Sequence, residues 1–167
     1  MKSNVMRNVK IEKILLSAGG VEQELEKAKK LLSIISQKKV QVIASQKRIP
    51  TFGVRPGLEV GVRVTLRGRE AIELLKRLLT AIDNQLKKKQ VSENHFSFGV
   101  KEYIEIPGIE YQRDIGIRGL NITVVFIRAG VRIARKKIKS GKLPKRQHIP
   151  QEEIIKYMED NFKTKFN

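Results

Sequence analysis

The most informative stretch of this chain is Gly61-Val62-Arg63-Val64-Thr65-Leu66-Arg67-Gly68, in which apolar and polar side chains alternate from Val62 to Arg67. Alternation with a period of two is typical of a half-buried strand. The apolar side chains are predicted to face a core, and Arg63, Thr65 and Arg67 to face the other way. Guanidinium groups match phosphate oxygens, and a threonine hydroxyl can donate to phosphate or sugar. The polar face is therefore interpreted as a platform for phosphates, with a merely solvated strand face as the alternative.

The residues after this strand predict a helix over 69–89, and apolar residues at helical spacing predict its buried face. The predicted stripe consists of Ile72, Leu75, Leu79, Ile82 and Leu86, and Leu74 and Leu78 are predicted to widen it. We expect Val64 and Leu66 to pack against its first three members.

Further elements are predicted on both sides of this strand and helix. Upstream, the patterns indicate a strand over 6–16, a helix over 21–37 and a strand over 40–44. Downstream, they indicate a loop over 91–94, strands over 96–104 and 120–128, and a last helix that starts at Pro150.

The segment 46–57 is predicted to be an exposed, shaped loop. It combines two prolines and two glycines with the cations Lys47, Arg48 and Arg55, and Phe52 stands at its centre. Cations beside an aromatic ring suit a nucleic-acid contact. The alternative is a flexible hairpin whose Phe52 folds back on the core.

The segment 128–148 is the densest cationic part of the chain, with nine Lys and Arg residues and no acid. Gly141 and Pro144 favour an arm over a long helix. Such a charge run is often only solvated, but its place between a strand and a helix favours contact with a polyanion.

The overall charge points in the same direction. The chain has 167 residues, 35 Lys and Arg against 17 Asp and Glu, and a net charge of +18. This length fits one domain, and so large a charge repels itself unless a polyanion neutralises it. We expect nucleic acid as the partner, not a membrane surface. The absence of cysteine fits a reducing cytoplasm.

The chemistry of an enzyme is not evident in the sequence. The two histidines, His95 in a predicted loop and His148 in the arm, have no partners at the spacing of metal ligands. We expect no catalytic residue, no metal and no cofactor. Gly19-Gly20 before a helix can bind phosphate through free backbone N–H groups, but the Lys-Ser/Thr pair of a P-loop is missing.

The order of these features resembles the ribosomal L-five family, the large-subunit protein that binds 5S rRNA, in its archaeal and eukaryotic form. The motifs that carry the resemblance are Met6-Arg7-Asn8-Val9, Phe52-Gly53-Val54-Arg55, Val64-Thr65-Leu66-Arg67-Gly68, the Phe96–Glu102 segment, Pro107-Gly108-Ile109 and Gly116-Ile117-Arg118-Gly119. The chain departs from the family pattern at Ser17, where the family has Asn, and in a shortened glycine loop at Gly19-Gly20.

The resemblance implies an α+β fold, an antiparallel sheet with helices packed on one face, in a single domain over 1–167. It implies that the other face and the adjoining loops hold 5S rRNA and large-subunit rRNA, and that the loop 46–57 reaches P-site tRNA. It also implies a place in the central protuberance, with neighbouring ribosomal proteins that include those of the small-subunit head. The residues assigned to rRNA are Arg7, Asn8, Lys10, Ser17, Gly19, Gly20, Lys47, Arg48, Arg63, Thr65, Arg67, Arg132, Arg135, Lys136, Lys137, Lys139, Lys145 and Arg146. Those assigned to tRNA are Pro50, Phe52, Gly53, Arg55 and Pro56.

Two other classes of function compete with this one. The charge alone also permits a DNA-binding protein of the nucleoid type. An enzyme that acts on an anionic substrate is a third class, which lacks a recognisable catalytic set.

Overall fold

The structure is a computed structural model that describes residues 4–167. Residues 61–66 of the alternating stretch lie in the third strand along the chain, and Arg67 and Gly68 lead into the helix that follows. The strands are β1 (Lys10–Gly19), β2 (Gln41–Ala44), β3 (Glu59–Leu66), β4 (Gln85–Leu86), β5 (Val91–Ser92), β6 (His95–Val100), β7 (Leu120–Ile127) and β8 (Lys165–Phe166). The helices are α1 (Gln23–Ser36), α2 (Gly68–Thr80), α3 (Arg132–Arg135) and α4 (Gln151–Phe162).

Six of these strands form one sheet in the order β2-β3-β1-β7-β6-β5. Each neighbouring pair in that sheet is antiparallel, whereas β4 and β8 form a separate parallel pair. Central β1 pairs with β3 on one side and β7 on the other, so Leu16 lies opposite both Val64 and Ile122. The predicted α+β class with an antiparallel sheet is confirmed.

The predicted alternation in β3 is also confirmed. Val62, Val64 and Leu66 are at most 4% exposed, while Arg63 and Thr65 between them are exposed. Residues paired across strands share a face, and the apolar residues of β1, β6 and β7 that are in register with these three are buried too.

Helices cover this apolar face. Helix α1 packs on β3 and β1, α2 on β1, and α4 on β5. The apolar side chains of all three helices join those of the sheet in one hydrophobic core. The opposite face of the sheet contributes few residues to that core, and its side chains are exposed or half-buried.

The helix predicted over 69–89 is wrong in its second half. Helix α2 ends at Thr80, and Asp83 and Asn84 both have left-handed backbones, with φ of 54° and 55°. A left-handed residue breaks the helical path, and Asn and Asp tolerate it best. The buried side chain of Leu86 therefore belongs to a strand that pairs with the C-terminal segment, not to the helix.

The buried face of α2 is also rotated slightly from the predicted one. Ile72 is 37% exposed, whereas Leu75 and Leu79, and Leu74 and Leu78 beside them, are buried as predicted, and Ala71 is buried with them. Val64 and Leu66 share one core with Leu75 and Leu79, although the helix that mainly covers β3 is α1.

Several smaller boundaries differ from the prediction. Val5–Arg7 forms a short 3-10 turn, and β1 then begins at Lys10 and continues through Ser17 to Gly19, because this end pairs with Gly61 of β3. The predicted loop over 91–94 contains β5, and the strand predicted over 96–104 ends at Val100, before a 3-10 turn.

Candidate nucleic-acid interface

The face of the sheet that the helices leave uncovered carries a row of polar side chains across four neighbouring strands. Gln41 of β2 lies opposite Arg63 of β3, Arg63 opposite Ser17 of β1, and Ser17 opposite Asn121 of β7. Gly99 of β6 ends the row beside Asn121. We call this surface the open face.

A second row of the open face is rich in hydroxyl groups. Thr65 of β3 lies opposite Leu15 of β1, and Leu15 opposite Thr123 of β7. The next partner is Ser97 of β6, whose Oγ lies 3.1 Å from Oγ1 of Thr123. Hydroxyl and amide groups of this kind bond to phosphate oxygens, ribose hydroxyls and base edges.

The two arginines of the alternating stretch are held differently. The Nε of Arg63 donates a 3.0 Å hydrogen bond to Oε1 of Gln41, which fixes the guanidinium along the sheet. Within residues 4–167 its terminal nitrogens have no such partner. Arg67 lies one residue beyond β3, at the N-cap of α2, and is exposed. Both cations can therefore meet a phosphate.

The glycine pair at the end of β1, Gly19-Gly20, has a structural role. The N–H of Gly20 donates to the carbonyl of Val60 at 3.1 Å, so this amide is not free for phosphate, contrary to the interpretation from sequence. A Cβ on Gly20 would come within 2.9 Å of the Glu24 side chain and 3.1 Å of the Arg118 guanidinium. That guanidinium donates to the carbonyls of Gly19 and Glu24 and so fixes the start of α1.

Three residues predicted to contact rRNA, namely Arg7, Asn8 and Lys10, lie exposed just before β1 and at its first residue. Arg7 and Arg146 line one groove of about 540 Å³. The structure thus brings the N-terminal turn and the end of the arm together.

The loop 46–57 is an ordered hairpin. Ile49 and Val54 exchange two backbone hydrogen bonds of 2.9 and 3.1 Å across its neck, and Pro50–Phe52 forms a 3-10 turn at its tip. Gly53 closes that turn with φ of 65°. Phe52 is 75% exposed and Val54 7%, so Val54, and not Phe52, folds inward. The other predicted contact residues here, Lys47, Arg48, Arg55 and Pro56, are exposed.

The arm 128–148 is fixed at its two ends. At its far end, Ile149 is fully buried and its N–H donates to Oδ1 of Asn94 at 2.9 Å. At its start, Arg128 pairs with Glu153 of α4 and donates to the carbonyl of Arg146 at 3.1 Å. The side chain of Arg128 is only 12% exposed. Arg128, one of the nine cations, therefore stabilises the fold and is not available to a polyanion.

A second cation of the arm is also paired. Arg135 bonds to the carboxylate of Glu12, whose side chain is 9% exposed at the irregularity in β1. The remaining predicted contact residues of the arm are exposed. Within residues 4–167, none of them has a carboxylate within ion-pair distance. They are Arg132, Lys136, Lys137, Lys139, Lys145 and Arg146.

The histidines and acids do not form a metal centre in the part of the chain that the structure describes. No group of three His, Asp or Glu residues there could hold a metal ion. His95 lies on β6 and not in a loop, and His148 lies 3.3 Å from the Asn94 amide. Over residues 4–167, no helix is long and apolar enough to cross a membrane.

Sequence reasoning missed four of the seven polar residues in the two rows of the open face. Gln41, Ser97, Asn121 and Thr123 were not predicted as contact residues, although two of the strands that hold them show the same alternation as β3. In Phe96-Ser97-Phe98 and Leu120-Asn121-Ile122-Thr123-Val124, each polar residue stands between buried apolar ones. That alternation is the signal that could have found them.

Comparisons with known proteins identify relatives of this sequence. The sequence model for the C-terminus of the ribosomal L-five family matches residues 59–150. A protein of Archaeoglobus fulgidus named large ribosomal subunit protein uL5 is 35% identical over 93% of this chain and 89% of its own length. Proteins of the same name from Nanoarchaeum equitans and Methanobrevibacter smithii are 39% and 36% identical, over 93% and 98% of this chain and 94% and 98% of their own lengths.

Proposed function

The chain belongs to the ribosomal L-five family. We propose that it binds 5S rRNA with its open face and with the arm 128–148. We also propose that the loop 46–57 contacts P-site tRNA. Membership makes it a structural constituent of the large ribosomal subunit and not an enzyme. We further propose that the protein lies in the central protuberance of the subunit, next to proteins of the small-subunit head.

The observation that carries the proposal is the composition of the open face. A sheet face that is left without helices normally has to be polar to remain in water. Here it also offers Arg63, whose Nε donates to Gln41, together with hydroxyl and amide groups in β1, β3, β6 and β7. A surface that combines fixed cations with many neutral donors and acceptors suits folded RNA, whose backbone carries both phosphates and 2′-hydroxyls.

The arm and the loop support separate contacts. The exposed cations of the arm supply attraction that does not depend on sequence. The loop presents one exposed aromatic ring, Phe52, on a hairpin closed at its neck by Ile49 and Val54. A ring held in this way can stack on a base or pack on a sugar.

Binding assays with the whole chain test the proposal. We expect the protein to bind 5S rRNA more tightly than a duplex DNA of equal length at the same salt concentration, and to sediment with large subunits that contain 5S rRNA. Equal affinity for the two nucleic acids would favour the nucleoid-type alternative and contradict the proposal.

A further inference from the structure

A third row of the open face carries more positive charge than the first two. Val125 of β7 lies opposite both Lys13 of β1 and His95 of β6. Arg67 continues the row on the far side of β1, because β3 pairs with β1 up to the preceding residue and the backbone of Arg67 is still extended. The row therefore joins two cations to an imidazole.

The imidazole of His95 lies on the open face and not in the core. Phe96 and Phe98 of the same strand are at most 4% exposed. His95 and Ser97 alternate with them and are exposed. Since successive side chains of a strand point to opposite faces, His95 shares its face with the hydroxyl group of Ser97.

The ring of His95 is held through one of its two nitrogens. Nδ1 lies 3.0 Å from the carbonyl oxygen of Glu93. A carbonyl oxygen can only accept, so Nδ1 carries the hydrogen, and Nε2 of the neutral ring has a lone pair. The turn that supplies this carbonyl is itself fixed, because the Asn94 side chain accepts the N–H of Ile149 at 2.9 Å. Nε2 is the nitrogen that remains for a ligand.

A positive charge on His95 would not be neutralised by a carboxylate in the described part of the chain. Glu93 is two residues away, but its carboxylate lies 3.6 Å from Nδ1 of His148 in the arm. Among residues 4–167, His95 has no carboxylate within ion-pair distance. An imidazolium at this position can therefore donate from Nε2 to an anion that comes from outside the protein.

The elements packed around His95 present neutral or cationic groups. Strands β5 and β7 place Ser92 and Val125 opposite it. The exposed Lys88 and Lys89 lie in the 3-10 turn that contacts β6, and Lys13 lies two strands away, at about 10 Å by the spacing of strands. These cations attract a phosphate to this end of the open face, and a negative charge beside an imidazole favours its protonated form.

We propose that His95 binds a phosphate of 5S rRNA through Nε2 in its protonated form, so that RNA binding takes up one proton. The proton comes from the solvent and adds to the lone pair of Nε2. The inference rests on the proposed function and deepens it, because it makes the affinity of the open face depend on pH. If the complex holds the proton more tightly than the free protein does, the affinity must rise as pH falls. Histidine changes its charge between about pH 5 and 8, so the change in affinity belongs to this range.

Filter binding of the full chain to 5S rRNA in about 0.1 M KCl tests the inference. A single proton that the complex holds about tenfold more tightly makes binding about fivefold tighter at about pH 5.5 than at about pH 7.5. For His95→Gln, which cannot take up the proton, we expect this ratio to fall below about twofold. His95→Arg carries a permanent cation, so it should bind at about pH 7.5 as tightly as the wild type does at about pH 5.5.

The matched control is His148→Gln, because His148 is the only other histidine in the chain. This variant should keep the wild-type dependence on pH, and a thermal melt at each pH shows that every variant remains folded. Loss of the dependence in His148→Gln, or an equal dependence in the wild type and His95→Gln, would overturn the inference. Binding of 5S rRNA that does not change with pH would also overturn it but would leave the proposed function intact. Absence of binding at every pH would instead contradict the proposed function itself.

Discussion

At the scale of single residues, the two arginines of the alternating stretch decide whether the open face binds RNA. We predict that Arg63→Ala and Arg67→Ala each weaken 5S rRNA binding by about 1.5–3 kcal/mol, the usual value of a hydrogen bond to a charged group. Filter binding measures the affinity, and a thermal melt shows that the fold persists. Lys156→Ala on the exposed side of α4 removes one charge elsewhere and is the matched control. Unchanged affinity in both arginine variants would mean that the face is only solvated.

The rotation of α2 can be tested with two residues of the same helix. Leu75 is fully buried and Ile72 is 37% exposed. We predict that Leu75→Ala lowers the free energy of unfolding by about 2–5 kcal/mol, because it leaves a cavity. Ile72→Ala should cost less than half as much, since its side chain already meets water. Urea unfolding measures both values, and equal decreases would contradict the observed orientation of the helix.

Tyr157 gives the protein a dependence on alkaline pH. Its ring meets Phe126 edge-on at 5.6 Å, and burial raises the pKa of its hydroxyl above the usual 10.0. The unfolded chain therefore loses this proton at lower pH than the folded chain does. Stability is retained below about pH 10 and declines as pH rises from the unfolded pKa through the folded one. We predict that Tyr157→Phe removes part of the decline in urea unfolding above about pH 10. An identical decline in the variant would contradict the assignment.

At the scale of elements, the arm is predicted to supply the salt dependence of RNA binding. Changing Arg135, Lys136, Lys137 and Lys139 to Gln should flatten the log–log slope for 5S rRNA, by about 0.7–0.9 for each phosphate that is no longer neutralised. Arg135 is already paired with Glu12. The triple variant that keeps Arg135 should therefore show nearly the same slope as the quadruple one. A full wild-type slope in both variants would exclude the arm as the main phosphate contact.

The loop is predicted to have a different partner. Deleting residues 50–55 removes the exposed Phe52 and the turn that carries it, but leaves the open face intact. We expect nearly unchanged 5S rRNA binding and a reduced occupancy of P-site tRNA on assembled ribosomes. Phe52→Ala, which keeps the hairpin, should reproduce part of the tRNA effect. Abolished 5S rRNA binding on deletion would contradict this separation of partners.

A helix or strand could be predicted from the sequence where its local pattern of apolar residues was compatible with only one buried face. The alternation in β3 fixed its buried and open faces, because a strand has only two. Helix α2 was harder, since its many leucines fit two overlapping stripes, and only the packing on β1 selects Leu74 and Leu78 over Ile72. The end of that helix had a signal in Asp83-Asn84, residues that tolerate the left-handed backbone seen there.

Over the whole molecule, the open face depends on long-range pairing of strands. Strand β1 lies between β3 and β7, which are widely separated in sequence, since β3 ends at Leu66 and β7 begins at Leu120. No local pattern states this order, so the rows that join Arg63 to Asn121 and Thr65 to Thr123 could not be drawn from the sequence. The pairing of Arg135 with Glu12, 123 residues away, was hidden for the same reason.

The net charge of +18 leads us to predict how the melting temperature of the RNA-free protein depends on salt. Like charges on the surface repel one another and disfavour the compact state, and salt screens that repulsion. Salt also weakens surface ion pairs, but residues 4–167 contain only four between arginine or lysine and a carboxylate. They are Lys38–Glu70, Arg118–Glu24, Arg128–Glu153 and Arg135–Glu12. We therefore expect the melting temperature of the RNA-free chain to rise by a few degrees between about 0.01 and about 0.1 M KCl, where the Debye length falls from about 30 to about 10 Å. For a chain of this size, a change of about 1 kcal/mol in the free energy of unfolding shifts the melting temperature by roughly 2–4 °C.

Differential scanning fluorimetry measures the shift in melting temperature. The complex with 5S rRNA, in which the protein's charge is already compensated, is the control that should show no such rise. A melting temperature of the free chain that falls with salt would mean that the four ion pairs outweigh the repulsion among the remaining cations.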